Sequence, residues 1–182
     1  MAEARLPEPV KLICACLAGR EEWLERARER LERELGPVDL VSATWPFDCT
    51  DYYEPEMGAG LLRRMYSFQE LIGPENIVAI KHATNRLEQQ LGAELPGGPR
   101  RPVNLDPGYV SRAKLVLATT KDYGHRVYLG SGIYAEVTLR WQGGRFEPWE
   151  WTYPDYRSEG CRQFFAEVRE LYVQQLRRRE SR

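Results

Sequence analysis

Arg126 and Glu136 are the two residues around which the sequence first suggests chemistry. Between them lies Gly130-Ser131-Gly132, a turn signal. Closed as a three-residue hairpin loop, it sets Tyr128 opposite Tyr134 and Arg126 opposite Glu136. A two-residue loop would set Val127 against Glu136, a poorer match on both faces. A guanidinium beside a carboxylate, flanked by tyrosines and by Trp151, can orient a planar or anionic ligand. The same residues also make an ordinary cross-strand ion pair. Just upstream, Thr119-Thr120-Lys121-Asp122-Tyr123-Gly124-His125-Arg126 gathers two hydroxyls, an ammonium, an imidazole and a guanidinium around one turn. Converging donors of this kind suit a phosphate or carboxylate, and an imidazole among them can work as general acid or base. With a four-residue loop over 121–124, Thr119 pairs with Arg126 and Thr120 with His125. Thr119, Arg126, Glu136 and Trp151 then share one row, with Leu117, Tyr128 and Tyr134 in the next. His125 points to the opposite face.

Other groups compete for a role. Asp48-Cys49-Thr50-Asp51-Tyr52-Tyr53-Glu54-Pro55-Glu56 offers four carboxylates, and oxygen-rich clusters can hold a divalent cation. The block lacks the EF-hand spacing, so a solvated acidic loop is the simpler account and no metal site is expected. Were one present, Asp51, Glu54 and Asp106 would be its ligands. Lys81, Asn85 and Glu88 recur one helical turn apart, which reads as a solvated stripe or, at Lys81, a ligand contact. Asn104-Leu105-Asp106-Pro107-Gly108-Tyr109 reads as a turn that could present Asn104 and Asp106. Asp155 and Arg157 could rim a pocket. The chain has 26 basic residues, of which only Lys11, Lys81, Lys114 and Lys121 are lysine. The few lysines mark places where a compact ammonium on a slim stem is wanted. Cys14, Cys16, Cys49 and Cys161 are scattered and form no zinc pattern; Cys14 and Cys16 read as small buried apolar residues. Gly-Ser-Gly is too short for a nucleophile elbow, so serine hydrolase chemistry is not expected.

The elements that must position these residues follow from periodicity. Residues 10–17 read as a buried strand and 21–35 as an amphipathic helix stopped by Gly36-Pro37. A second strand covers 38–45, and 61–71 reads as a strand. A helix follows Pro74 to about residue 91. Residues 92–102 (GAELPGGPRRP) form a flexible connection. From 114 to 151 the pattern becomes antiparallel strands, and Gly143-Gly144 sets Arg140 opposite Glu147. Val116, Ala118, Val127, Leu129, Ile133, Ala135, Val137, Leu139 and Trp141 make the expected core face. A last helix starts at Ser158.

PFDCTDYYEPEMG (46–58), SFQELIGPE (67–75), IKHATNRLE (80–88), NLDPGY, LVLATTKDYGHRVYL (115–129), GIYAEVTL and WTYPDY together resemble an uncharacterised bacterial family, the domain of unknown function numbered 4416. Cys49 departs from the aromatic residue the family pattern implies there. The resemblance implies no activity, but it makes the polar blocks features of a family.

The expected fold is α+β: a mostly antiparallel sheet, a ferredoxin-like first half, three main helices, and a C-terminal β-meander plus helix, in one domain over 1–182. A formal net charge of -1 argues against nucleic acid as a partner. No apolar run spans a membrane and the first residues lack a signal-peptide core, so a cytoplasmic location is expected. The expected function is binding of a small anionic ligand, a nucleotide or phosphometabolite, on the aromatic and charged sheet face. Thr119, Lys121, His125, Arg126, Tyr128, Tyr134, Glu136 and Trp151 would contribute, with Lys81, Asn104 and Asp106 as further contacts. The alternatives are a metal-assisted hydrolase or phosphoryl-transfer enzyme using His125 as acid/base, and an RNA-binding or protein-interaction module. Cofactor, oligomeric state and catalytic residues are not legible.

Overall fold

The computed structural model describes residues 3–94 and 99–181. Strand β1 (Val10–Ala18) is buried along all nine residues, so it must lie inside a sheet covered on both faces. Antiparallel neighbours flank it on either side, β4 (Leu62–Ile72) and β5 (Val103–Val110). Beyond β4 lies an edge made of two short pieces, β2 (Val38–Val41) and β3 (Trp45–Pro46). Helix α1 (Glu21–Leu35) joins β1 to β2, and α3 (Ile77–Ala93) joins β4 to β5; the single turn α2 (Glu54–Met57) lies in the acidic loop. The order β2-β4-β1-β5, with a helix after β1 and another after β4, is the split strand–helix–strand arrangement of ferredoxin-like domains. Trp23, Leu24, Ala27 and Leu31 of α1 pack with Ile77, Ile80, Leu87 and Leu91 of α3 over Leu12, Cys14 and Cys16. The two cysteines are thus apolar core residues, as their alternation predicts.

The second half widens this sheet. β6 (Lys114–Thr119), β8 (Ile133–Gln142) and β7 (Val127–Gly130) follow β5 in that spatial order, and β9 (Arg145–Pro148) also pairs with β8. A one-turn helix α4 (Pro154–Arg157) leads into α5 (Glu159–Glu180). Ser158 caps α5 by accepting from the Cys161 amide at 3.3 Å. Phe164, Phe165 and Val168 of α5 cover Ile13, Ala15, Met65, Leu115, Leu117 and Leu139 on the face opposite α1 and α3. The result is an α+β sandwich of three layers. Among the described residues no helix is long and apolar enough to cross a membrane.

Three expectations need correction. β6 and β7 do not form a hairpin: β6 pairs with one edge of β8 and β7 with the other. Both run antiparallel to β8, so they are parallel to each other and residues 120–126 cross over β8. The rows shift accordingly, with Leu117 beside Glu136, and Thr119 beside Tyr134 and Tyr128. Sequential strands are neighbours in most sheets, and here a later strand inserts between two earlier ones. Second, the expected core face is broken. Val116, Ala118 and Ile133 are buried, but Val127 is 67% exposed and Leu129 42%. β7 ends the sheet, beyond the α1 and α3 cluster that reaches as far as Ile133 of β8. Leu139 changes face because Val116 pairs with Val137 and Leu115 with Leu139, leaving Thr138 as the extra residue of a bulge. Third, Asn104 to Tyr109 is no turn but lies within β5. Pro107 is tolerated because β6 joins β5 only from Gly108 onward.

The hairpin registers at Gly143-Gly144 and around Tyr128–Tyr134 agree with expectation. Of the 92–102 connection, α3 takes in Gly92 and Ala93, and residues 95–98 lie outside the described residues. Gly108 marks the closest approach of β5 to β6: a Cβ there would sit 2.3 Å from the Val116 carbonyl oxygen. Gly108→Ala is therefore expected to destabilise by about 1–3 kcal/mol, the usual cost of overpacking. Urea unfolding reads this directly, and an unchanged midpoint would disprove the close approach.

Candidate functional site

The crossover of residues 120–126 is held down by one carboxylate. Glu136 projects from the middle of β8 and is 2% exposed. Its Oε2 accepts from Arg126 Nε at 2.9 Å and pairs with His125 Nε2 at 3.1 Å, while Oε1 accepts from Thr138 at 3.2 Å. Arg126 also donates to the Lys121 carbonyl at 3.0 Å and reaches the Tyr153 hydroxyl at 3.4 Å. The expected pairing of Arg126 with Glu136 is present, but its hydrogen-bonding capacity is used inside the protein. His125 does not point to the opposite face. The chain has left strand geometry there, since the Arg126 amide closes a turn on the Tyr123 carbonyl, and alternation no longer applies. The aromatic surface is likewise filled from within. Tyr123, His125, Trp151 and Trp149 stack in series at 6.1, 5.4 and 5.1 Å, and Arg140 caps the series over Trp149.

A second cluster of charged side chains gathers at the start of β5, before β6 joins it at Gly108. Its centre is Asp106 on β5. Asp106 accepts from the Asn104 amide at 2.6 Å and forms ion pairs with Lys81 Nζ at 3.5 Å and Arg63 Nη1 at 3.7 Å. Arg63, from β4, sits between the rings of Phe47 and Tyr156, and its Nη2 lies 2.9 Å from Asp155. Arg63 Nε and Nη1 and the Tyr156 hydroxyl are buried without a hydrogen-bond partner among the described residues. The network continues from Asn104 to Arg101 and from Arg101 to Glu88, whose carboxylate also accepts from the Leu105 amide at 2.6 Å. Lys81 and Glu88 are therefore buried, not a solvated stripe; α3 packs this face against the start of β5. Lys81 Nζ donates to the Leu105 carbonyl at 2.9 Å, a use that a slim ammonium stem permits and a guanidinium fork would not. Lys11 is buried in the same fashion against Asp39.

Tyrosines on three loops lie near the cluster and the crossover. Tyr52 and Tyr53 come from the acidic loop, Tyr123 from the crossover and Tyr153 from the turn before α4. Tyr52, Tyr123 and Tyr153 are all exposed. Lys121 bridges two of the loops: its ammonium lies 2.8 Å from the Tyr52 hydroxyl and 4.2 Å from the ring centroid. The titration tendencies follow from this layout. Burial works against the charge on Asp106, but Lys81, Arg63 and Asn104 together outweigh it and hold the carboxyl below its usual range. Burial dominates at Asp155 and pushes it up despite Arg63. Glu88 is raised by burial as well, against Arg101 and Lys81. Tyr53 is pushed up by burial and by Asp106.

The remaining expected residues fall on the margins. Thr119 caps the crossover by accepting from the Lys121 amide at 3.2 Å. Tyr128 and Tyr134 pack together at 5.2 Å on the outer strands. Asp51 and Glu54 line a surface groove of about 370 Å³ with Cys49 and Leu62, whereas Asp106 faces cations. The structure thus does not bring Asp51, Glu54 and Asp106 together, and among the described residues no three His, Cys, Asp or Glu side chains gather as metal ligands.

The sequence profile of a family described as a domain of unknown function, DUF4416, matches residues 8–172. The chain belongs to this family. Comparison with curated proteins and with solved structures finds no match. Within this DUF4416 chain, the cluster and the tyrosines near it draw on the DYYE, KHATNRLE, NLDPGY, TTKDYGHR and WTYPDY blocks, which are distant in sequence. Arg63, Tyr53 and Tyr156 were not among the expected site residues. A signal for Arg63 did exist, because Arg63-Arg64 stands beside the apolar residues Leu61, Leu62, Met65 and Tyr66. A buried arginine on such a strand needs a carboxylate partner.

Proposed function

We propose that this DUF4416 chain binds a small anionic metabolite in a tyrosine-rimmed crevice between Asp106 and Lys121, and that a nucleotide suits it best. The observation that carries the reading is Lys121, an exposed ammonium held against Tyr52 across two loops. A phosphate would meet Lys121 as a charge-assisted partner. A planar base would lie against exposed tyrosine rings, which offer apolar area with a polar edge. Amino donors on that base would meet Asp106, whose side chain is 27% exposed while Lys81 and Arg63 behind it are sealed. The buried Arg126–Glu136 pair frames the crevice by fixing the crossover that carries Lys121.

Isothermal titration with nucleoside monophosphates, the matching nucleosides and inorganic phosphate tests this. The monophosphates are expected to bind more tightly than either fragment. Lys121→Ala should weaken them about tenfold, the loss of one hydrogen bond to a charged group, and leave the melting temperature unchanged. Equal affinity for parent and variant, or no binding by any phosphate ester, would refute the proposal.

A further inference from the structure

His125 is one of two histidines in the chain, and its surroundings differ from those of His82 in kind. His82 Nε2 meets a backbone carbonyl, that of Ser131, at 3.1 Å. His125 Nε2 meets a carboxylate, Glu136, at 3.1 Å. Arg126 already donates to the same Glu136 oxygen and Thr138 to the other, so both act as acceptors. In the neutral imidazole the proton between Glu136 and His125 therefore sits on Nε2, which leaves the lone pair on Nδ1. The imidazole is also held flat, with Tyr123 stacked on one side at 20° and Trp151 on the other at 15°. Nδ1 has no protein partner among the described residues, and the side chain is 26% exposed against 4% for Arg126 and 2% for Glu136. His125 rides on the same crossover as Lys121, four residues away.

A carboxylate that fixes an imidazole by one nitrogen and leaves the other free is the arrangement of a general base with its orienting group. We infer that His125 is the proton-transfer group of the crevice, presented through Nδ1, and that Glu136 is its positioning residue. This rests on the ligand reading above and adds an activity to it. Nδ1 takes a proton from water or from a ligand hydroxyl. The N–H bond forms as the O–H bond breaks, the electron pair stays on oxygen, and the imidazolium so made stays hydrogen-bonded to Glu136. The oxygen forms a bond to the phosphorus of the bound phosphate ester as the P–O bond to the leaving alcohol breaks, and the imidazolium returns its proton to that alcohol oxygen. A histidine serving only as a spacer in the aromatic stack would need neither a fixed tautomer nor a free nitrogen.

Long-range ¹H–¹⁵N spectra of the full chain at alkaline pH decide the tautomer, with His82 as internal reference. The expected result is a single Nε2–H form for His125 in the parent and a mixture in Glu136→Gln. Diethyl pyrocarbonate should modify His125 several-fold faster in the parent than in Glu136→Gln, and a bound nucleoside monophosphate should slow it. An Nδ1–H form in the parent overturns the inference even if the variant fails to fold, and so do equal reagent rates in the two proteins. Should no nucleotide bind, the ligand reading falls by itself, while the tautomer and the reagent rates still decide the role of His125.

Discussion

Glu136→Ala is expected to lower folding stability by about 3–5 kcal/mol, the usual loss when one partner of a buried ion pair is removed. The Arg126 side chain, 4% exposed, would keep its charge with no carboxylate to answer it. Thr138 Oγ1 and His125 Nε2 would lose the same acceptor. The damage should also be local in a recognisable way. Residues 120–126 cross β8 with the Glu136 carboxylate as their anchor, so amide exchange there should accelerate beyond the change elsewhere in the sheet. Replacing both partners, as Arg126→Met with Glu136→Leu, should recover most of the stability, because the desolvation of two charges disappears along with their attraction. Urea unfolding of the parent, Glu136→Ala and the double variant measures both changes. A loss under about 1 kcal/mol for Glu136→Ala, typical of an exposed pair, would mean that the latch is solvated.

Arg63→Met should be comparably severe at neutral pH, about 3–5 kcal/mol by the same reasoning, but with a distinctive pH dependence. In the parent, Asp106 is held below its ordinary range by Lys81 and Arg63 against the effect of burial. Its contribution is present above the unfolded value and lost as pH falls through the folded one. Asp155 is already pushed up by burial, with Arg63 as the main opposing charge. Without Arg63 both carboxyls rise. A carboxyl raised in the folded state favours folding while it is protonated, and that contribution vanishes as pH climbs through its folded pKa. The gap between parent and variant should therefore be smallest in acid and widen through the carboxylate range to neutrality. A gap independent of pH would show that Arg63 acts by packing against Phe47 and Tyr156 alone.

Short-range physics made much of this protein readable from its chain. The apolar run after Lys11 announced β1 as a buried strand, and the strand-helix-strand-strand-helix order up to α3 announced the ferredoxin-like half, whose last strand, β5, had read as a turn. Turn chemistry at Gly143-Gly144 and at Gly130-Ser131-Gly132 set Arg140 opposite Glu147 and Tyr128 opposite Tyr134, because a tight turn fixes register within a few residues. What lay beyond that reach depended on contacts between distant segments. β8 enters between β6 and β7, which turned an expected hairpin into a crossover and brought His125 onto Glu136. The unpaired Thr138 sent Leu139 to the α5 face, and no helix reaches Val127 at the sheet edge. Lys81 and Glu88 read locally as a solvated stripe, with Lys81 also as a ligand contact, and Arg63 was not singled out; the packing of α3, β4 and α4 around Asp106 made them a network. Alternation states which residues of a strand share a face. Which face is covered, and by what, is settled by burial among elements far apart in the chain, and so the cluster around Asp106 became visible only in three dimensions.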